Sequence, residues 1–331
     1  MRRICALALT MLLTACSALP TQRAAPEWVL NPPSDTATEF WGVGEGVDID
    51  SATRAALRQI AARLRVSISS TVDNSLSVLQ SSSGTSPSVQ QSVIRSSQSR
   101  LQEVVRETEF TGVSLQQRAP SNNGVHVLVR VDRRTFVRET RNRLEQQRQR
   151  VQQSLDGLDT MDALTQYRTL QAQLPDIERA LAFAQLLRVA DGSASDAAIT
   201  NRLEETRRQA HTAASRLSVR LQHEAVDTDV AAMLSEALTS EGFRIASAEK
   251  SPVMRITVLT RSEQLFDAWN CRMDVSLQWL NERGETVAAR SHVANGIALE
   301  SARRARQDAI RRLGLALRAN SLPVALGLAQ Q

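Results

Sequence analysis

A glycine-rich segment followed by an alanine-rich one constrains the fold of this chain more than any other feature. Residues 40–46, Phe-Trp-Gly-Val-Gly-Glu-Gly, predict a short strand in which the glycines let the backbone turn sharply. Asp50 and Ser51 follow as a predicted helix N-cap, because short side-chain oxygens accept hydrogen bonds from the free amides of a first turn. The next apolar residues keep helical spacing and predict a narrow stripe for close packing on a sheet: Ala52, Ala55, Ala56, Ile60 and Leu64.

The spacing of the apolar residues changes after Arg65. Valine and isoleucine then alternate with serine and threonine over residues 66–72, which predicts a strand and therefore a strand–helix–strand unit. Within this unit we expect Trp41 to be largely buried. We expect Gly42, Gly44 and Gly46 to serve the shape of the backbone rather than to contact a ligand.

With the Pro-Glu-Trp segment at residues 26–28, this stretch resembles the Lpp-twenty lipoproteins. Members of that family begin with a Pro-x-Trp segment, then a Gly-Val-Gly-x-Gly strand and an alanine-rich helix. The same module resembles the N-terminal domains of some flagellar accessory lipoproteins. The resemblance covers residues 26–138 and implies an envelope-anchored component without enzymatic activity.

The N-terminus has the pattern of an exported lipoprotein. Residues 1–15 combine two arginines with an apolar run too short to cross a bilayer as a permanent helix, which predicts a signal peptide. Residues 13–16, Leu-Thr-Ala-Cys, look like a lipobox, so Cys16 is the predicted site of lipidation. The alternative is an ordinary signal peptide with an incidental cysteine. Residues 16–25 then predict a flexible tether. Ser17, by resemblance to bacterial sorting signals, favours the outer membrane over the inner one, with the protein facing the periplasm.

Cysteine content and net charge exclude several classes of protein. Cys5 is expected to leave with the signal peptide and Cys16 to be acylated, so Cys271 remains without a partner for an intramolecular disulfide. Cys271 alternates with apolar residues and is therefore predicted to be a buried thiol rather than a nucleophile. The net charge of +5 is too small to predict a nucleic-acid partner.

The remaining patterns predict an α+β fold: two small antiparallel-sheet and helix domains joined by a helical segment. The predicted boundaries are 26–138 for the first domain, 139–215 for the helical segment and 216–322 for the second domain. In the first domain we expect a helix over 89–107 and a hairpin of strands 110–115 and 125–131, joined across 119–124. In the second domain we expect, in chain order, a strand, a helix, four strands and a closing helix.

Two further patterns leave alternatives open. Val137, Leu144, Val151 and Leu158 recur every seven residues and form a weak half-heptad on a helix rich in arginine. That arginine-rich face suits anionic lipid headgroups, an acidic partner or simple solvation. Near the C-terminus, the Ser-Ala-x-Arg-Ala of residues 301–305 echoes that of residues 51–55, either by duplication or by convergent helix packing.

No pattern in the chain predicts chemistry. Val47 occupies the position where a dinucleotide-binding fingerprint needs its last glycine, and the four histidines lie in separate elements. We therefore predict no catalytic residue, no cofactor and no metal, and a non-enzymatic scaffold or accessory protein of the envelope. Its predicted partners are the membrane through acylated Cys16 and envelope proteins, with a homo-oligomer as a further option. The alternative is an envelope hydrolase or carbohydrate-binding enzyme with an unrecognised site.

Overall fold

The computed structural model describes residues 25–80, 99–100, 103–104, 110–192, 197–248, 250–319 and 321–329. Its helices are α1 (Glu27–Leu30), α2 (Ile49–Gln80), α3 (Arg133–Leu155), α4 (Ala163–Asp191), α5 (Ala197–Thr212), α6 (Thr228–Ser240), α7 (Ala302–Ala319) and α8 (Leu322–Ala325). Its strands are β1 (Glu39–Gly46), β2 (Val113–Ser121), β3 (Gly124–Asp132), β4 (Ser218–Gln222), β5 (Arg244–Ile245), β6 (Val253–Leu265), β7 (Ala268–Leu280) and β8 (Thr286–Ala298). The predicted α+β class is confirmed.

The chain forms two compact units. The first unit is Met1–Asn142 with Gln185–Ser193, and the second unit is Arg143–Ala184 with Ala194–Gln331. The helices α3 and α4 are therefore each divided between the units, and each part is described with its own unit.

The first unit is an antiparallel sheet of order β1-β3-β2 with α2 packed against it. The predicted stripe is confirmed, since Ala52, Ala56, Ile60 and Leu64 are all buried at intervals of four residues. On the facing strand β1, Gly44 has no side chain, so its backbone lies against the helix. A Cβ on Gly44 would lie 2.0 Å from the carbonyl oxygen of Ala52, so the helix sits directly on the strand.

The role predicted for the glycines in turning the backbone is wrong. Gly42, Gly44 and Gly46 lie inside a regular strand, and none of them has a positive φ. They are required because a Cβ on any of the three would lie within 2.6 Å of an atom of α2. The glycines therefore serve the close packing of the strand on the helix.

The predicted burial of Trp41 is only partial, because Trp41 lies on the face of β1 away from the helix. Residues on one face of a strand alternate, so Phe40 shares the helix-facing side with Gly42 and Gly44, while Trp41 points the other way. Phe40 is 3% exposed and packs edge-on against Phe136 of α3, with ring centroids 5.8 Å apart. Trp41 is half-buried.

The strand predicted over residues 66–72 is instead part of α2, which continues to Gln80. The hydroxyl of Ser67 donates to the carbonyl oxygen of Arg63 at 3.1 Å, the bond that serine makes inside a helix. Extending a helix already formed adds a hydrogen bond for each residue fixed, whereas a new strand needs a sheet neighbour. The helix predicted over 89–107 lies largely outside the described residues, although residues 99–100 and 103–104 are helical.

The predicted hairpin is confirmed with shifted ends. β2 begins at Val113 and extends through Pro120 to Ser121, so the loop is shorter than predicted and consists of Asn122 and Asn123. Val127, Val129 and Val131 of β3 share the buried face, as their alternation predicts.

The second unit is built on a sheet of order β5-β4-β6-β7-β8, in which β4 pairs in parallel with β5 and β6 and the other pairs are antiparallel. Its core includes Trp279, whose indole nitrogen donates to the carbonyl oxygen of Leu326 at 3.0 Å. Cys271 is buried in this core, which confirms the prediction. Gly296 of β8 faces α7, and a Cβ there would lie 2.0 Å from the carbonyl oxygen of Ala305.

Candidate functional site

A groove of about 730 Å³ lies at one end of the sheet in the first unit. Two connections form it: the one between β1 and α2, and the β2–β3 hairpin. Its lining mixes apolar groups with two carboxylates and one guanidinium: Val47, Asp48, Ile49, Asp50, Arg118, Ala119, Pro120, Gly124 and Val125.

A reciprocal pair of hydrogen bonds fixes the β1–α2 wall of the groove. The amide of Ser51 donates to a carboxylate oxygen of Asp48 at 2.7 Å, and the amide of Asp48 donates to the Ser51 hydroxyl oxygen at 3.1 Å. This is a capping box in which Asp48, rather than the predicted Asp50 and Ser51, is the N-cap of α2. The hydrogen bond from the Ser51 amide is the main reason why the pKa of Asp48 is lowered.

The hairpin wall is held against the same connection by a close backbone approach. Gly124 has a φ of +148°, and a Cβ on it would lie 2.1 Å from the carbonyl oxygen of Gly46. Only glycine fits at this point, so the two walls of the groove are fixed relative to each other by backbone contact.

The groove combines exposed apolar side chains with a few charged groups. Val47 is 81% exposed and Ile49 is 37% exposed, so the rim presents apolar side chains to solvent. Arg118 and Asp50 are exposed and carry opposite charges. The lining contains no histidine, cysteine or serine, and the carboxylate of Asp48 is engaged in the cap. No pair of a nucleophile and a base is present in it.

A smaller basic cleft of about 250 Å³ lies elsewhere in the first unit, where α3 begins. Arg133 is fully engaged there: it donates to the carbonyl oxygens of Thr36 and Ala190, and its guanidinium lies 5.0 Å from the centre of the Phe40 ring. Arg141 is paired with Asp191 at 3.0 Å. Two arginines of this face are therefore structural, and the three alternatives for the arginine-rich helix stay open.

Carboxylates with shifted pKa values in the second unit are also explained by packing. The Arg311 side chain and the amide of Ile297 lower the pKa of Asp308 to about 2. Burial raises the pKa of Asp227, which lies 3.6 Å from Arg306. Both carboxylates join helix α7 to neighbouring elements. Over the described part of the chain, no group of three potential metal ligands occurs.

The predicted site residue Cys16 lies outside the described residues, so its lipidation stays a prediction. Among the helices that the structure describes, none has the length and apolar character needed to span a bilayer. The sequence did not single out the groove. Two features of the sequence could have indicated it: Asp48 lies three residues before Ser51, the spacing of a capping box, and a glycine begins β3.

Solved structures similar to this chain include a lipoprotein and a secreted protein. No protein-family model matches the chain, and no curated protein matches it. A minor lipoprotein from Acinetobacter baumannii is 16% identical, with a TM-score of 0.27; the match covers 30% of this chain and 86% of that one. The secreted protein HP1454 from Helicobacter pylori is 10% identical, with a TM-score of 0.45; the match covers 84% of this chain and 95% of that one. One of these neighbours is thus a lipoprotein and the other a secreted protein, and the assignment to the Lpp-twenty family stays a prediction.

Proposed function

We propose that this chain is a lipid-anchored, non-catalytic protein of the bacterial outer membrane that faces the periplasm and binds a protein partner through the groove. The partner belongs to flagellar or other cell-envelope machinery, as the family resemblance implies. Cys16 supplies the anchor, and the groove supplies the contact surface.

One observation carries the proposal: the groove is open and partly apolar, its two walls are joined by backbone contact, and the titratable groups among its described lining residues are two aspartates and an arginine. A rigid apolar surface with a few charged groups at its rim is typical of protein recognition. A hydrolase would need a reactive pair in its cleft, and the cap already holds the carboxylate of Asp48.

The predicted tether sets where this surface can act. It runs from Cys16 to residue 25, and ten extended residues span at most about 35 Å. The first unit therefore stays close to the membrane that holds the acyl chains, within reach of other membrane-bound components.

A photo-crosslinking experiment in the native envelope tests the proposal. A photoreactive residue replaces Val47 at the rim of the groove or, as the matched control, Val66, which is 66% exposed on α2 of the same unit. We expect a discrete adduct with an envelope protein from position 47 only, and we expect Arg118→Glu to weaken it. Equal labelling from both positions contradicts a specific groove. Loss of function on replacing one carboxylate, with melting temperature and adduct unchanged, favours the enzyme alternative.

A further inference from the structure

The second half of strand β6 has an open edge. On one side, β7 pairs with β6 as far as Leu265. On the other side, β4 pairs only with Val253, Met254 and Arg255, and no other described strand continues beyond them. Every residue from 259 to 265 is exposed, so both faces of this segment are accessible as well.

The direction of the backbone groups shows what this edge offers. The amide of Arg220 in β4 donates to the carbonyl oxygen of Pro252, the residue before β6, at 2.9 Å. Backbone groups alternate in direction along a strand, so the even-numbered residues of β6 direct their amides and carbonyls towards β4. Further along, Thr260, Ser262 and Gln264 direct theirs towards the open edge. Such a row of backbone donors and acceptors is a template for another strand.

The sequence of the open edge is complementary to itself when reversed. Residues 259–265 read Leu-Thr-Arg-Ser-Glu-Gln-Leu, with Ser262 at the centre. In an antiparallel pairing about that serine, leucine meets leucine, arginine meets glutamate and threonine meets glutamine. Residue 262, whose backbone groups point to the open edge, then pairs with residue 262 of the other strand, and residue 260 pairs with residue 264. This places all their free backbone groups in hydrogen-bonded pairs.

The side chains that would meet in this pairing lie on one face of the sheet. Thr260 lies opposite the buried Met273, so the even-numbered residues share the core side of the sheet and the odd-numbered ones share the outer side. Leu259 and Leu265, which are 61% and 46% exposed, therefore lie on the same outer face as Arg261 and Glu263. Among the residues that the structure describes, neither Arg261 nor Glu263 has an ion-pair partner.

We propose that two copies of this chain associate through an antiparallel pairing of their β6 edges centred on Ser262. The charges select this register, because a pairing centred one residue earlier would set Arg261 against itself and Leu259 against Glu263. The occupant of the edge is thus a second copy, and the two sheets become one continuous sheet across the pair. This proposal concerns the second unit and does not depend on the groove.

Cysteine crosslinking of the full-length chain in its native envelope tests the pairing. Ser262→Cys places the two new thiols opposite each other, and mild oxidation should give a species of twice the monomer mass that a reductant reverses. Ser291→Cys is the matched control, since Ser291 is an exposed serine on the outer face of β8. Both variants carry Cys271→Ala, because Cys271 lies directly opposite Ser262 on β7 and would otherwise form an intramolecular disulfide with the new thiol. Equal yields from the two variants would overturn the proposal.

Charge reversal then tests the register. In the Ser262→Cys chain, Arg261→Glu or Glu263→Arg alone should lower the crosslinked fraction by about fivefold, because each places two like-charged pairs across the contact. The two reversals together should restore it. Both positions are exposed, so the melting temperature should not change in any variant. Undiminished crosslinking in the single variants, or no recovery in the double variant at unchanged melting temperature, contradicts the pairing.

Discussion

Gly296 approaches Ala305 as closely as Gly44 approaches Ala52: a Cβ on either glycine would lie 2.0 Å from the carbonyl oxygen of the facing alanine. A second alanine lies four residues along each helix, Ala309 in α7 and Ala56 in α2, and its amide nitrogen is within 2.4 Å of the same hypothetical Cβ. Both units thus contain a strand and a helix whose backbones touch, although their sheets differ in size and order.

We predict that Gly44→Val destabilises the protein by about 1–3 kcal/mol, because the added atoms force the helix away from the strand. Gly296→Ala should have a cost of similar size for the same reason. The measurement is the free energy of unfolding by urea, followed by circular dichroism.

Gly314 provides the matched control for these glycine variants. It lies in α7, where a Cβ would meet only the Met233 side chain at an ordinary 3.7 Å. Gly314→Ala should therefore stabilise the protein by about 0.5–1 kcal/mol through helix propensity. If Gly44→Val leaves stability unchanged but abolishes partner binding, the glycine strand is a contact surface instead.

We predict that Cys16→Ala releases the protein from the membrane or leaves it as an unprocessed precursor, because the acyl acceptor is lost. Cell fractionation and the mass of the product are the measurements. Cys5→Ala is the control and should change neither, since Cys5 lies in the predicted signal peptide. A Cys16→Ala protein still cleaved after Ala15 and still bound to the membrane would show that the lipobox prediction is wrong.

The Asp308 carboxylate should contribute stability that depends on pH. Its folded-state pKa is lowered to about 2, so the contribution is fully present above the ordinary pKa near 4 and is lost as the pH falls towards 2. We expect Asp308→Asn to lower the melting temperature at pH 6 and to lose most of that effect by pH 2. A difference that stays constant over this range would exclude the carboxylate charge as its cause.

Arg306 should matter through the buried Asp227. The Asp227 side chain is 5% exposed and lies 3.6 Å from Arg306, which also pairs with the more exposed Asp229. Arg306→Met therefore leaves a buried carboxylate without its cation and should cost about 1–3 kcal/mol at pH 7, most of it through Asp227 because exposed pairs contribute little. Because burial raises the pKa of Asp227, the loss should shrink as the pH falls and the group is protonated. Urea unfolding at pH 7 and pH 4 measures this.

Arg304→Met is the control for that prediction. Arg304 lies on the same helix, is largely exposed and pairs only loosely with Glu300 at 3.8 Å. Exposed pairs of this kind contribute little, so its stability should stay within about 0.5 kcal/mol at both pH values. A loss as large as that of Arg306→Met would contradict the role given to Asp227.

Periodicity predicted the second unit well because its elements are half-buried. Its strands alternate and its helices have one apolar face, so the sequence carries a signal at each element. The sequence predicted this strand only as far as Thr260, whereas β6 continues to Leu265; the part beyond Thr260 is exposed on both faces and has no apolar alternation. The groove was missed because it arises between connections that only the folded chain brings together.

The errors in the first unit have a common physical cause. Tryptophan is the larger aromatic and predicts burial, but the contact between β1 and α2 decides which face of the strand is inside, and Phe40 is on that face. The serine-rich alternation after Arg65 fits a strand only if a sheet neighbour exists. Tertiary context, which a local pattern does not contain, settles both cases.

The apparent repeat between residues 51–55 and 301–305 shows the same limit. The sequence echo equates Ala52 with Ala302, whereas the contacts with Gly44 and Gly296 equate Ala52 with Ala305. The shared pattern is the buried series of two alanines and two larger residues at intervals of four: Ala52, Ala56, Ile60 and Leu64 in α2, and Ala305, Ala309, Leu313 and Leu317 in α7. The packing of each helix on its glycine, and not the matching of residue types, therefore defines which residues of α2 and α7 are equivalent.

The contact of backbone with backbone at these two positions also has an entropic consequence. Glycine and alanine have no side-chain rotamers, so joining the strand to the helix there freezes no side-chain torsion, whereas burying a leucine costs about 0.5–1 kcal/mol in rotamer freedom. Only 3% of the residues of this chain are aromatic. With few large rings to fill its interior, it closes the gap between strand and helix by bringing the main chains together, at no cost in side-chain freedom.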